Sequence, residues 1–199
     1  MTEPARFDVA KVDAAHAKGL VAFFDRLEIP CYCRYWHFAG TSNAWLDRSR
    51  HAPGTNRSEL VHALETDSPE AAGVVAIDVS TNEVVGWLKL APAASVPKLY
   101  DQRLYRGLPC FSGDRDGVLA VGCMLIDPAV RRTGLSDALV QGAVRVAKEA
   151  GARAIEAFPR RAEALRDEEK WTGPFAAFER AGFAIAHDFG PYPVLRLDL

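Results

Sequence analysis

The sequence predicts an α/β fold in which one mixed sheet carries helices on both of its faces. Three observations predict it: apolar runs of strand length, amphipathic runs of helix length, and their order along the chain. The order is one strand, two helices, three strands, a helix, a strand, a helix and two strands. Helices interspersed in this way cover both apolar faces of a sheet.

Length and composition limit the class of protein. A chain of 199 residues that is 49% hydrophobic buries one sizeable core, so we expect a single domain over residues 1–199. A net charge of −2 offers no basic surface to nucleic acid or acidic membranes, and no apolar run is long enough to span a bilayer. The N-terminus contains acids and lacks an apolar signal core. We therefore expect a cytoplasmic protein that binds neither nucleic acid nor membranes and whose four cysteines are reduced thiols.

The first half of the chain supplies one strand, helices and a hairpin. Residues 7–9 predict a short strand, and residues 13–27 predict a helix with one apolar face. A second helix is predicted over residues 56–64, and residues 43–51 are compatible with a helix before it. Residues 73–79 and 83–90 are apolar strands joined by a turn sequence, which is typical of a hairpin. Residues 92–113 are the longest irregular segment, and such segments are usually functional or mobile.

Residues 117–151 are the stretch around which the chain is organised. Residues 118–126 are nearly uncharged, as in a strand covered on both faces, and Asp127-Pro128 ends that strand. Beyond a short basic turn, apolar residues recur at helical spacing as far as Gly151, which suits a helix C-cap.

The C-terminal part predicts a strand, a helix and a closing hairpin. Residues 152–158 are another buried strand, and the highly charged residues 160–170 are expected to be an exposed loop or solvated helix. Gly173-Pro174 suits the entrance of a helix that ends at Gly182. Residues 183–188 and 194–199 are the last two strands.

The basic turn between the central strand and helix predicts a phosphate site. A glycine at a helix N-terminus lets backbone N–H groups converge on an anion, and Arg131 and Arg132 supply positive charge. The turn is neither a P-loop nor a Rossmann fingerprint. The alternative interpretation is an ordinary strand-to-helix connection whose arginines are solvated.

The segment VGCMLIDPAVRRTGLS resembles motif A of the GNAT superfamily, the acyl-CoA-dependent N-acetyltransferases. Arg131 and Gly134 fill the first two positions of its Gln/Arg-x-x-Gly-x-Gly/Ala signature, whereas Ser136 departs at the third. AAFERAGF, residues 176–183, is similar to motif B, and the order of elements is also the GNAT order. The resemblance extends from residue 73 to residue 199 and implies a mixed, mostly antiparallel sheet of about six to seven strands.

The resemblance implies acetyl-CoA as co-substrate and assigns residues to it. A bulge in the central strand would separate it from the next strand and aim a backbone N–H at the thioester oxygen. The backbone of Met124, Leu125 and Ile126 would hold the pantetheine arm. The pyrophosphate would lie on Arg131, Arg132, Thr133, Gly134, Leu135 and Ser136. Phe178 stands where many relatives have an acidic tyrosine and would pack against the arm.

Acid–base residues are less determined than the cofactor site. No residue is assigned as general base. Tyr192 is a candidate acid by its position alone, and simple packing is the alternative for it.

The aromatic segment after the first helix predicts an acceptor site. In relatives this region forms the acceptor pocket wall, which would assign Tyr32, Tyr35 and Trp36 to substrate binding. Core packing is the alternative. Cys31, Cys33 and His37 lack a second Cys/His pair, so we expect no metal.

Two functional hypotheses follow. The first is an N-acetyltransferase that acetylates a primary amine of a small molecule by direct attack on the thioester. The alternative is a GNAT-fold module that binds acyl-CoA as a sensor, without catalysis. A homodimer is kept as the candidate oligomer because twofold dimers are the commonest soluble assemblies.

Overall fold

A computed structural model describes residues 6–162 and 164–199 and places seven strands in one open sheet. The order is β1-β2-β3-β4-β5-β7-β6, and only the β4–β5 pair is parallel. The mixed, mostly antiparallel sheet predicted from the sequence is therefore confirmed. The strands are β1 (Phe7–Lys11), β2 (Gly73–Asp78), β3 (Glu83–Pro92), β4 (Val118–Ile126), β5 (Ala154–Ala157), β6 (Ala184–His187) and β7 (Val194–Asp198).

Helices cover both faces of this sheet. Helices α5 and α6 pack on one face through Leu139 and Phe178, and α1 and α3 pack on the other through Phe24 and Leu60. None of the helices within the described residues is long and apolar enough to cross a membrane. The helices are α1 (Ala17–Arg26), α2 (Ser42–His51), α3 (Pro53–Glu65), α4 (Pro97–Tyr100), α5 (Leu135–Glu149) and α6 (Phe175–Arg180).

A bulge interrupts β4 at the centre of the sheet. Leu88 of β3 pairs with Met124 and Leu90 pairs with Val121, so two residues of β4, Gly122 and Cys123, lie opposite one residue of β3. A bulge bends its strand and increases the local twist. Beyond it β4 loses its partner on the other side, because the parallel pairing with β5 covers only Val118–Ala120. A gap therefore opens between the C-terminal halves of these two strands.

The long connection between β3 and β4 folds onto a buried carboxylate. Glu156 of β5 is 1% exposed and accepts hydrogen bonds from Arg115 at 2.9 and 2.6 Å. Arg196 donates to it at 2.9 Å and the Tyr100 hydroxyl at 2.7 Å. Burial and the adjacent carboxylate raise the pKa of Tyr100 well above its usual range. The connection between β3 and β4 is thus anchored to β5 by Tyr100 and Arg115 as well as by apolar packing.

Two cysteines are paired, which corrects the expectation of four reduced thiols. The sulfurs of Cys33 and Cys123 lie 2.50 Å apart as a disulfide that joins positions 90 residues apart in the chain. The bond ties the segment after α1 to the bulge of β4. Cys31 and Cys110 are free, and burial raises the pKa of both thiols.

We expect Glu156→Gln to lower the free energy of unfolding by about 2–4 kcal/mol, measured by urea denaturation, because it leaves the arginines and Tyr100 without their shared anion. Glu149→Gln is the matched control, since Glu149 forms an exposed pair with Arg145 on α5. Such pairs contribute below about 1 kcal/mol. Equal effects of the two substitutions would contradict a stabilising role for the buried cluster.

Thiol titration of denatured protein, purified without reductant, should find two reactive thiols, and four after reduction. Cys33→Ser should raise the unreduced value from two to three, because it releases Cys123 while Cys31 and Cys110 stay free. Four thiols in the unreduced wild type would contradict the pairing.

Candidate functional site

A groove with a cationic lining lies where β4, the start of α5 and residues 170–174 meet. Its volume is about 490 Å³. We call it the basic groove, because the charged side chains among its described lining residues are all cations: Arg131, Arg132 and Lys170. Its other lining residues are Leu27, Ile29, Met124, Leu125, Ile126, Pro128, Val130, Gly134, Leu135, Ser136, Trp171 and Pro174.

The turn at one end of this groove has its backbone N–H groups available. Arg132 and Gly134 have positive φ values of 61° and 84°, and Gly134 is the N-cap of α5. Among the described residues, none accepts a hydrogen bond from the N–H groups of residues 132–136. A Cβ added to Gly134 would meet nothing within 4 Å, so the space beside the turn is open. Together with the positive end of the helix dipole, these N–H groups are suited to binding an anion.

The other end of the groove contains a carbonyl bound to the edge of β4. The Met124 N–H points into the β4–β5 gap and donates to the Trp171 carbonyl oxygen at 2.7 Å. Because alternate residues of a strand direct their N–H groups to the same side, Ile126 points its N–H into the same gap. The gap therefore contains two backbone donors, the N–H groups of Met124 and Ile126, and the first already binds a carbonyl oxygen.

Most of the residues predicted to bind cofactor meet in this groove. Thr133 is the exception within the turn, because its hydroxyl donates to the Val130 carbonyl at 2.6 Å and its side chain does not line the groove. Phe178 is fully buried in the core behind it. The residues that line the groove as predicted are Met124, Leu125, Ile126, Arg131, Arg132, Gly134, Leu135 and Ser136.

A second cavity, of about 410 Å³, lies on the α2 side of the same gap. We call it the aromatic cavity. It shares Trp171 with the basic groove, and its wall residue Cys123 directly precedes Met124 in the chain. Its lining residues are Cys31, Cys33, Tyr35, Trp36, Ser42, Trp45, Leu46, Cys123 and Trp171.

The structure places Tyr35 and Trp36 in this wall but not Tyr32. The Tyr32 side chain is buried in the core against Phe24, and its hydroxyl donates to the Asp25 carboxylate. Burial, and then Asp25, raise the pKa of Tyr32 to about 12. Tyr32 has a positive φ of 42°, as does the next residue, Cys33, at 56°.

Sequence reasoning missed the other half of the aromatic cavity. Trp45 and Leu46 come from α2, to which sequence reasoning assigned no functional role. Lys170 ends the charged segment 160–170, which was expected to be an exposed loop or solvated helix, and Trp171 follows it; both line the basic groove instead. A tryptophan directly before a predicted helix entrance was the one sequence signal available for this segment.

Cations lie beneath the bulge. Lys89 of β3 is 1% exposed, and its Nζ donates to the Glu70 carbonyl at 2.6 Å. Burial, and then the charge of Arg34, lower the pKa of Lys89 to about 7, while Glu70 opposes the shift. Desolvation, with Lys89 and Arg34 adding to it, lowers the pKa of His37 to about 3. His37 is therefore a neutral imidazole at physiological pH.

The remaining candidates are the proposed acid, Tyr192, and the set of Cys31, Cys33 and His37 considered for a metal. Tyr192 lines neither of them, and its ring packs against the Arg160 guanidinium, 5.7 Å from the ring centroid. Within residues 6–162 and 164–199, no group of three or more His, Cys, Asp or Glu side chains is placed to hold a metal ion. Cys33 of the Cys31, Cys33 and His37 set is bonded to Cys123.

Known structures share this fold over the whole chain. PaiA N-acetyltransferase from Thermoplasma acidophilum, solved with coenzyme A, is 10% identical; the match covers 98% of this chain and 100% of that one, with a TM-score of 0.54. A GCN5-related N-acetyltransferase from Kribbella flavida is 17% identical over 99% and 100% of the two chains, with a TM-score of 0.56. YncA, a putative acetyltransferase from Salmonella typhimurium solved with acetyl-CoA, is 13% identical over 98% and 95%, with a TM-score of 0.53. At these identities the likeness establishes the fold alone.

The sequence itself matches a family. Residues 33–167 match the Acetyltransferase (GNAT) family, whereas no curated protein matches the sequence significantly. The matched stretch includes β4, the basic turn and α5, and it spans more than half of the 199 residues. The chain therefore belongs to the GNAT acetyltransferase family.

Proposed function

We propose that this acetyltransferase moves an acetyl group from acetyl-CoA to a primary amine of a small molecule. The observation that carries the proposal is the Met124 N–H in the β4–β5 gap, which holds a carbonyl oxygen at 2.7 Å. That distance is the one at which a backbone donor stabilises a developing oxyanion. In the proposal the Trp171 carbonyl marks the position that the thioester carbonyl takes when acetyl-CoA is bound.

The rest of the basic groove fits the other parts of acetyl-CoA. The N–H groups of residues 132–136 and the α5 dipole would hold the pyrophosphate, with Arg131 and Arg132 providing charge. Backbone groups of Ile126 would hold the pantetheine arm as a sheet edge holds an added strand, whereas Leu125, whose backbone faces Trp87 of β3, would contribute side-chain contact. Phe178 would support the groove from behind, since a Cβ on Gly173 would meet both the Phe178 ring and the Met124 Cε within 3.2 Å.

The chemistry needs position and charge stabilisation more than a protein acid. The neutral amine attacks the thioester carbon, the C–S bond breaks, CoA leaves as thiolate and the amine proton passes to solvent. A thiol of pKa about 8.5 is an adequate leaving group near neutral pH. Phe178 has no proton to give, and Tyr192 lines neither cavity. We therefore assign protonation of CoA to solvent rather than to Tyr192.

A non-catalytic sensor is the second candidate. Phe178 in place of an acidic tyrosine favours it, as does the Trp171 carbonyl that occupies the Met124 donor. Calorimetric titration with acetyl-CoA, followed by amines with detection of free thiol, separates the two candidates. Binding with thiol release supports the enzyme, and binding without release across the panel supports the sensor.

Three further parts of the proposal concern the whole chain. They are one domain over residues 1–199, a cytoplasmic location, and a homodimer as the oligomer. The single open sheet from β1 to β7 supports the first. Disulfides such as Cys33–Cys123 are rare in the reducing cytoplasm, so the thiol titration bears on this location as well.

We expect Gly134→Val to reduce acetyl-CoA affinity at least about tenfold by calorimetry. The isopropyl group would fill the space that the pyrophosphate needs, and a β-branched residue resists the positive φ of 84°. Gly107→Val is the matched control, because Gly107 also has a positive φ, 75°, and open space, but lies outside both cavities. Unchanged affinity in Gly134→Val would contradict the phosphate assignment.

Acetyl-CoA should also change the tryptophan emission of the protein. Trp171 stacks on Trp36 with ring centroids 5.9 Å apart, and it must move when the thioester takes over the Met124 N–H. The change should be absent in Trp171→Phe and retained in Trp45→Phe. Binding seen by calorimetry with constant emission in the wild type would contradict this displacement.

A further inference from the structure

The aromatic cavity is placed to hold the body of the acceptor. Its volume of about 410 Å³ falls within the range of small-molecule sites. It adjoins the basic groove at Trp171, and Cys123 and Met124 are consecutive residues of β4 that line the cavity and the groove respectively. A molecule in the cavity is therefore next to the donor proposed to hold the thioester carbonyl.

The walls of this cavity are rigid aromatic rings. The Trp36 indole N–H donates to the Gly122 carbonyl at 2.9 Å, so its polar atom is used inside the bulge of β4. The Tyr35 ring meets Trp36 and Trp45 edge-on, with centroids 4.9 and 5.4 Å apart. Trp171 lies roughly parallel to Trp36, at 26°. The flat rings of Tyr35, Trp36 and Trp45, fixed by these contacts, favour a planar apolar guest.

The charges near the cavity lie behind its walls. None of its described lining residues is charged, and Ser42 and Tyr35 each carry a hydroxyl. Lys98 Nζ is 4.3 Å from the centroid of the Tyr35 ring and donates to the Phe38 carbonyl at 3.1 Å. Arg48 lies 6.0 Å from the centroid of the Trp45 ring. A carboxylate in the cavity would thus lose water without an ionic partner among the lining residues, and a second ammonium would meet Tyr35 and Trp45 rings that already contact these cations.

The mouth of the cavity is apolar as well. Leu46 is 66% exposed and Trp171 is 45% exposed, which are high values for large apolar side chains. Both border the same opening, from α2 on one side and from the segment before α6 on the other. An apolar group bound at this opening would therefore bury exposed apolar surface of Leu46 and Trp171, which favours its binding.

We propose that the acceptor is an aromatic primary amine: a planar ring joined by a short linker to one amine, with no carboxylate. The ring lies among Tyr35, Trp36 and Trp45, and the amine points across Cys123 toward the thioester at Met124. The amine nitrogen forms the amide bond, the C–S bond breaks, and CoA and a proton are released. This inference rests on the proposed function.

The test is a comparison of tryptamine and phenethylamine with spermidine, tryptophan and a short peptide. Each is assayed with acetyl-CoA for thiol release, and each is titrated by calorimetry into the protein saturated with CoA. We expect kcat/KM for the aromatic amines to exceed the others at least about tenfold, the discrimination an apolar pocket provides. Tryptophan matters most, because it differs from tryptamine by the carboxylate alone.

Two variants locate the effect. Trp45→Ala should raise KM for tryptamine about tenfold with little change in kcat, and Trp45→Phe should restore most of the loss. Leu46→Glu changes an exposed residue, so it leaves the core intact; it should weaken tryptamine and improve spermidine. Phe189→Ala is the control, since Phe189 is an exposed aromatic residue outside both cavities.

The possible failures are distinguishable. Preference for spermidine, tryptophan or the peptide overturns the aromatic-amine inference while leaving the acetyltransferase proposal in place. Acetyl-CoA binding with neither thiol release nor tryptamine binding to the CoA complex also overturns it. Loss of the proposed function itself shows separately, as a protein that binds no acetyl-CoA.

Discussion

The site depends on one extra residue in β4. Because Gly122 and Cys123 together oppose a single residue of β3, β4 bends away from β5 and leaves the Met124 N–H without a strand partner. The Trp36 indole N–H stabilises the bulge by donating a hydrogen bond to the Gly122 carbonyl. The bulge also requires glycine, since a Cβ at position 122 would lie 2.9 Å from Lys89 Cδ and 3.1 Å from the Trp36 ring. The same packing thus opens the gap and builds the wall of the aromatic cavity.

The described charged side chains near this gap are separated by sign. The basic groove has cations and available N–H groups where α5 begins. An anion bound there would reduce the repulsion between these positive charges. The carboxylate of Glu156 is enclosed elsewhere by Arg115, Arg196 and Tyr100, so it does not compete for the groove. The aromatic cavity between these regions has an uncharged lining. An amine that enters it is favoured as the free base, which is the form that attacks a thioester.

Prediction from sequence succeeded where one stretch of chain contains the whole signal. The strand at residues 118–126, the turn after it and α5 are local, and their backbone geometry follows from apolar run length, Asp127-Pro128 and Gly134. Prediction was weaker where side chains of distant segments meet. Tyr32 and Tyr35 are equally aromatic and three positions apart, yet Tyr32 packs against Phe24 in the core and Tyr35 lines the cavity. The Cys33–Cys123 pair spans 90 residues and has no local signal.

The sequence by itself determined the class of fold and the family, and it predicted an anion site at the basic turn, because periodicity and short motifs record local backbone preferences. The tertiary structure alone decided which side chains line the basic groove and the aromatic cavity. Trp45 comes from α2, and Trp171 lies between the charged segment and α6. Both line the same cavity beside the bulge of β4. Chemistry that depends on such convergence is not encoded in any single stretch of the chain, since it arises from the packing of elements far apart in sequence.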